Sequence, residues 1–123
     1  MAKVLFACLD SLAEQINAAR RVFLCLDFDG TLTPLVDRPE EAELSAHVRQ
    51  LLQELRHPPD VQLAIFSGRA TSDVSERVGL PDVYYAGNHG LQVIGPGLVF
   101  VEPHAALLPD AGGRRRLLRF HRP

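Results

Sequence analysis

The sequence predicts an α/β fold, a parallel sheet layered between helices, and three observations support that class. Apolar runs rich in sheet formers, Val22 to Asp27, Val61 to Phe66 and Val83 to Ala86, alternate with segments of helical periodicity. Strands of one kind joined through helices imply right-handed crossovers and a three-layer parallel sheet. Each run also ends in a polar cluster that contains glycine: Asp27-Phe28-Asp29-Gly30-Thr31, Ser67-Gly68-Arg69 and Gly87-Asn88-His89-Gly90. Ligands of open α/β sheets bind beyond the carboxyl ends of the strands, where all three clusters fall. Loops are polar in any protein, which accounts for one such cluster. It accounts less well for three that each join glycine to groups suited to an anion or a metal.

Each element has its own signal. Leu5, Leu9, Leu12, Ala13, Ile16 and Ala19 recur at helical spacing, so the first twenty residues read as an amphipathic helix that ends near Arg20-Arg21 and packs on the sheet. Val22 to Asp27 is expected to be a strand covered on both faces, with Cys25 as a small core residue. Residues 35–43, with Pro39 and several acids, read as an exposed loop. Leu44, Val48, Leu51, Leu52 and Leu55 predict a helix that stops before Pro58-Pro59. After the second strand, Thr71 or Ser72 can cap a helix that carries Val74 and Val78 and closes at Gly79, with Pro81 beyond. Leu91 to Ile94 and Leu98 to Val101 flank Gly95-Pro96-Gly97 and predict a small hairpin.

A chain of 123 residues is one domain at most, able to bury about 65% of its unfolded surface. We expect a core over residues 1–110 and a flexible, Arg-rich tail over residues 111–123. The formal charge of −2 hides an asymmetry: residues 111–123 carry five arginines and no acid, and residues 1–110 hold 8 basic and 15 acidic groups. An acidic body argues against nucleic acid as a partner. Asp10 interrupts the apolar run that begins at Val4, so it does not read as a signal peptide, and no segment approaches the length of a membrane span. Cys8 and Cys25 fall in no metal-ligand spacing. A reduced, cytoplasmic setting without a membrane partner is expected. His47, His57 and His104 read as surface residues, and Asp37, Glu40, Glu41 and Glu43 as a solvated acidic stretch.

The first cluster carries the chemistry. Asp27 and Asp29 are two apart at a strand end, so as the strand loosens both carboxylates can turn toward one point. Such a pair can hold a divalent cation and attack an electrophile. Gly30 lets the chain bend sharply, and Thr31 offers a hydroxyl and a backbone N–H to an anionic oxygen. Buried like charges without a cation would be costly. Ser67 by itself can equally be a turn residue that caps the next helix, and His89 an incidental residue of a glycine-rich turn.

The run Asp27-Phe28-Asp29-Gly30-Thr31-Leu32 resembles the first motif of the haloacid dehalogenase superfamily, and Phe66-Ser67-Gly68-Arg69 resembles its second. Tyr85-Ala86-Gly87-Asn88-His89-Gly90, with the Pro34 loop and the spacing between motifs, narrows the resemblance to the trehalose-6-phosphate phosphatase family, over about residues 10–103. The resemblance implies a Rossmann-like core and a Mg2+-dependent phosphomonoesterase acting on trehalose 6-phosphate. Asp27 would be the nucleophile, because a carboxylate is ionised at neutral pH and forms a hydrolysable aspartyl-phosphate. Asp29 would be general acid and then base, in surroundings that raise its pKa. Mg2+ would sit between the Asp27 carboxylate, the Asp29 main-chain carbonyl and a phosphate oxygen, offsetting their repulsion. Ser67 and the Gly68 N–H would bind phosphoryl oxygens with Arg69 in support, and Asn88 and His89 would lie near the sugar and phosphate.

The same resemblance shows departures. It implies a later lysine or arginine and a later acidic cluster, yet the only lysine is Lys3, and Asp73, Glu76, Asp82, Glu102 and Asp110 stand apart from one another. A cap domain would begin near Val101-Glu102-Pro103. We therefore expect an amino-terminal part, truncated before the cap domain and the late core strands, weakly active or inactive alone. A tail arginine folding back would be a poor substitute for a fixed lysine. Two alternatives stay open. One is a phosphatase for another sugar phosphate, such as sucrose or mannosylglycerate phosphate. The other is a non-catalytic module that associates with a full-length homologue through an open sheet edge.

Overall fold

The computed structural model describes residues 4–103. Strands β1 (Val22–Asp27), β2 (Val61–Phe66), β3 (Tyr84–Gly87), β4 (Gln92–Gly95) and β5 (Leu98–Val101) form one sheet in sequence order. β1, β2 and β3 are parallel, with Val22 opposite Val61, Asp27 opposite Phe66, and Phe66 opposite Ala86. This register brings the carboxyl ends of the three strands to one side. The expected hairpin forms, but it continues the main sheet as two antiparallel strands, so the sheet is mixed. Its turn closes through Gly97 at φ +68, a value that two-residue hairpin loops favour.

Three helices accompany the sheet: α1 (Leu9–Ala18), α2 (Ala46–Arg56) and α3 (Thr71–Val78). Ser45 caps α2, its Oγ accepting the Val48 N–H at 3.1 Å. Gly79, at φ +65, ends α3. The Arg49 guanidinium of α2 donates to the carbonyls of Val78 and Arg77, placing a cation on the unpaired end of α3. Thr71 does not cap α3. It is the first helical residue, and its hydroxyl donates to Gln92 Oε1 at 3.1 Å.

The crossovers from β1 to β2 and from β2 to β3 run in the same direction and hand, so α2 and α3 fall on one face of the sheet. There Leu24, Leu63, Ile65 and Tyr85 pack against Leu52 of α2 and Val74 and Val78 of α3. The opposite face is bare among the described residues, with Phe23 58%, Phe66 41% and Phe100 48% exposed. The α/β class therefore holds, but the third layer does not form within residues 4–103. Burial of β1 alternates along the strand, contrary to a strand covered on both sides, and Cys25 is exposed rather than in the core.

The first twenty residues are not one helix packed on the sheet. A 3-10 turn over Leu5–Cys8 precedes α1, no residue of α1 is buried, and Leu9 and Ile16 of its apolar stripe face solvent. Residues 35–43 are exposed as expected, apart from a buried Ala42. His47 and His57 lie on the surface. Lys3, His104 and the Arg-rich tail of residues 111–123 lie outside the described residues. No helix among the described residues is long and apolar enough to cross a membrane.

Candidate active site

Phe28 organises the first loop. Its ring is fully buried, and the alternation of side chains then turns Asp27 and Asp29 outward on either side of it. The Phe28 N–H donates to Phe66 O at 3.1 Å, carrying the β1–β2 pairing one residue further. Its carbonyl accepts the N–H groups of Leu32 at 3.0 Å and Thr33 at 3.2 Å, and more weakly that of Thr31 at 3.4 Å. Gly30, at φ +77, makes the bend, a conformation that costs a side chain little only when it is hydrogen. Asp27 is exposed, as is Thr31.

The second loop closes on the first. Ser67 is buried and donates from Oγ to Asp29 Oδ2 at 3.3 Å, while its Oγ accepts the Arg69 N–H at 3.0 Å. Arg69 holds Asp29 more firmly. Its Nε lies 3.2 and 3.1 Å from the two carboxylate oxygens and its Nη2 2.8 Å from Oδ1, with the side chain 11% exposed and the guanidinium carbon 5.7 Å from the Phe28 ring centroid. A planar fork on a carboxylate is the strong form of the ion pair.

The Arg69 hydrogen bonds hold the Asp29 carboxyl below the usual carboxylate range, against partial burial, which acts the other way. The expectation of a raised pKa is thus overturned: the guanidinium favours the ionised form more than desolvation disfavours it. The same pairing raises the pKa of Arg69.

The third loop locks onto the second through the main chain. Asn88 N–H donates to Arg69 O at 2.7 Å and His89 N–H to Ser67 O at 3.2 Å. Asn88 and His89 are both left-handed, at φ +50 and +56, and such strain is held only where the surroundings fix it. A Cβ on Gly68 would stand 2.6 Å from His89 Cε1, so glycine admits the close approach of the imidazole. Asn88 Nδ2 donates to Gln92 Oε1 at 2.9 Å.

Together the loops border a cleft of about 690 Å³, lined by Asp29, Leu35, Gly68, Arg69, Asp73 and Asn88, among others. Three parts of this site escaped the sequence reading: Asp73, Arg77 and Gln92. The repeat of alternating charge at residues 69, 73 and 77 was a legible signal of one helical face. Gln92 gave none. Among the described residues, no group of three His, Cys, Asp or Glu gathers as a metal site. The donors that the resemblance implies here are the Asp27 carboxylate and the main-chain carbonyl of Asp29. That set fits a cation that keeps several waters, as Mg2+ does, better than one that demands a full protein cage.

Comparisons with known proteins point to one family. The family model described as trehalose-phosphatase matches residues 25–102. A probable trehalose-phosphate phosphatase 2 of Oryza sativa subsp. japonica is 41% identical over 90 residues, covering 72% of this chain and 23% of the relative. The trehalose-phosphate phosphatase of Mycobacterium marinum is 47% identical over 70 residues, 57% of this chain and 17% of its own length. Among solved structures, Aspergillus fumigatus trehalose-6-phosphate phosphatase superposes with a TM-score of 0.65 at 33% identity, over 71% of this chain and 32% of that one. A haloacid dehalogenase-like hydrolase of B. subtilis, at 18% identity and TM-score 0.51, shares the fold. The chain thus spans about a fifth of the curated relatives it matches.

Proposed function

Since the chain belongs to the trehalose-phosphatase family, we propose that it carries the nucleophile-bearing part of a Mg2+-dependent phosphomonoesterase site for trehalose 6-phosphate. The observation that carries this reading is the meeting of the three strand-end loops around Asp29, with Ser67 and Arg69 both bonded to its carboxylate. Asp27, exposed at the end of β1, attacks phosphorus and forms an aspartyl-phosphate while the sugar alkoxide leaves; water then hydrolyses the anhydride. The Asp27 carboxylate and the Asp29 main-chain carbonyl would hold Mg2+, which would supply positive charge between nucleophile and phosphate.

Asp29 is the acid/base. Its ionised form suits the second half of the cycle, when a base activates water. The first half needs a proton on Asp29, which a phosphoryl group beside Arg69 favours, because its negative charge offsets that of the guanidinium. Ser67, the Gly68 N–H and Thr31 receive phosphoryl oxygens, and Asn88 and His89 border the sugar.

Phosphate release from trehalose 6-phosphate with and without Mg2+ tests the reading, with Asp27→Asn as control. We expect slow, Mg2+-dependent release that the substitution abolishes, because no lysine occurs within residues 4–103 to neutralise the phosphate. Equal release by the variant sinks the assignment. Faster release from sucrose phosphate or mannosylglycerate phosphate transfers it to another sugar phosphate. A second reading, a binding module that pairs with a full-length homologue, is favoured by β1 standing at the sheet edge beside an exposed aromatic face. Co-elution with a full-length relative on size exclusion, without activity of the chain alone, supports it; a separate monomer excludes it.

A further inference from the structure

Beyond Asp29, Arg69 has a second carboxylate partner. Its Nη1 donates to Asp73 Oδ2 at 3.2 Å, and the other oxygen of Asp73 accepts Arg77 Nε at 2.8 Å. Arg77 reaches across to the loop that follows the first motif, its Nη1 donating to Ala42 O at 2.6 Å and Glu40 O at 3.3 Å. A continuous line of hydrogen bonds thus runs from the loop at residues 40–42 through Arg77, Asp73 and Arg69 to Asp29. Asp73, Arg77 and Glu40 also line the cleft.

Ion pairs four residues apart on an open helix are worth only about 0.3–0.5 kcal/mol and are made by many sequences without consequence. This line differs in geometry. Asp73 divides its two oxygens between two arginines, and it grips Arg69 at the terminal nitrogen that Asp29 does not use. A guanidinium has five N–H groups. The bonds to Asp29 and Asp73 engage Nε and one hydrogen on each terminal nitrogen, leaving one on each to donate to an anion.

We propose that Asp73 is a positioning residue, which with Arg77 fixes the Arg69 guanidinium so that its two remaining N–H groups face a phosphoryl group in the cleft. The inference rests on the phosphatase reading of the site and adds to it a residue that touches neither substrate nor metal. Asp73 also ties the cleft-lining loop to the catalytic corner, so loop and arginine move as one unit.

Binding of inorganic phosphate to the whole chain in the presence of Mg2+, followed by NMR, tests the proposal. Removing a negative charge should by itself strengthen the binding of an anion. The proposal gives the opposite sign: Asp73→Asn should bind phosphate roughly ten-fold more weakly, the worth of about one charge-assisted hydrogen bond. Asp73→Glu, which keeps the charge and can reach Arg69, should recover part of the loss. The Arg69 Nη1 protons of the unsubstituted chain should exchange slowly with water, a reading that needs no variant to fold. Equal or tighter phosphate binding by Asp73→Asn, or rapid exchange at Arg69 Nη1, overturns the proposal alone. Failure of the unsubstituted chain to bind phosphate overturns the phosphatase reading and this inference with it.

Discussion

The two faces of the sheet are built from the same strands yet live in different solvents. On one, Ile65 and Leu63 of β2 are closed in by α2 and α3; on the other, their neighbour Phe66 and, further along β1, Phe23 remain open to water. The difference lies in the path of the chain. Two crossovers of one hand and one direction can cover only one side, so on the other no described helix lies over the apolar residues, and Phe23 meets the Tyr84 ring edge-on at 6.0 Å between centroids. The candidate site sits at the seam: Asp27 belongs to the bare face, and Asp29, beyond Phe28, is drawn by Arg69 toward α3. One strand end therefore presents one exposed carboxylate and one already engaged.

The sharpest way to break this comparison is to remove buried volume from the covered face. Ile65→Ala should lower unfolding free energy by about 2–5 kcal/mol, seen as a lower urea midpoint. A loss under about 1 kcal/mol would mean that this face is no better packed than the other. A smaller effect is expected at the start of α2, the helix that covers it: Ser45→Ala should cost about 1 kcal/mol through the lost cap.

Smaller still is the Asp29–Arg69 pair, since the Asp29 side chain is 38% exposed and solvent screens it. Because the folded pKa of Asp29 is depressed, its contribution is present above the unfolded value near 4 and fades as pH falls through the folded value. Stability curves of the native chain and Asp29→Asn should therefore converge at acidic pH, from a difference of about 1 kcal/mol or less near neutrality. Parallel curves would deny the pair its role.

The least effect belongs to the bare face. Phe23→Ser should change stability by no more than about 0.5 kcal/mol, and Cys25 should react with a thiol reagent in the native state. Protection of Cys25, with a large loss from Phe23→Ser, would show that something covers this face in solution.

Much of the site was legible because its logic is local. Asp27 and Asp29 share a strand end by their spacing, Gly30 and Gly79 mark positive φ, and Ser67-Gly68-Arg69 must follow β2 because an apolar run leads into it. Errors arose where the answer depended on distant parts of the chain. Cys25 reads as core because its neighbours are apolar, but burial depends on whether a helix lies over it. The stripe of α1 shows that Leu9 and Ile16 can share a face and does not show what that face meets. The raised pKa expected for Asp29 failed because Arg69, forty residues on, supplies a charge that no local pattern around Asp29 could reveal.

By itself, then, the sequence determined the elements, their order and the residue types at three strand ends, because periodicity, capping and backbone freedom act over a few residues. Only the tertiary structure decided which face of the sheet is covered, which carboxylate Arg69 engages, and that Asp73 and Arg77 join the corner to its loop. Those outcomes depend on crossover direction and on contacts between residues about forty positions apart, distances over which a linear pattern carries no geometry.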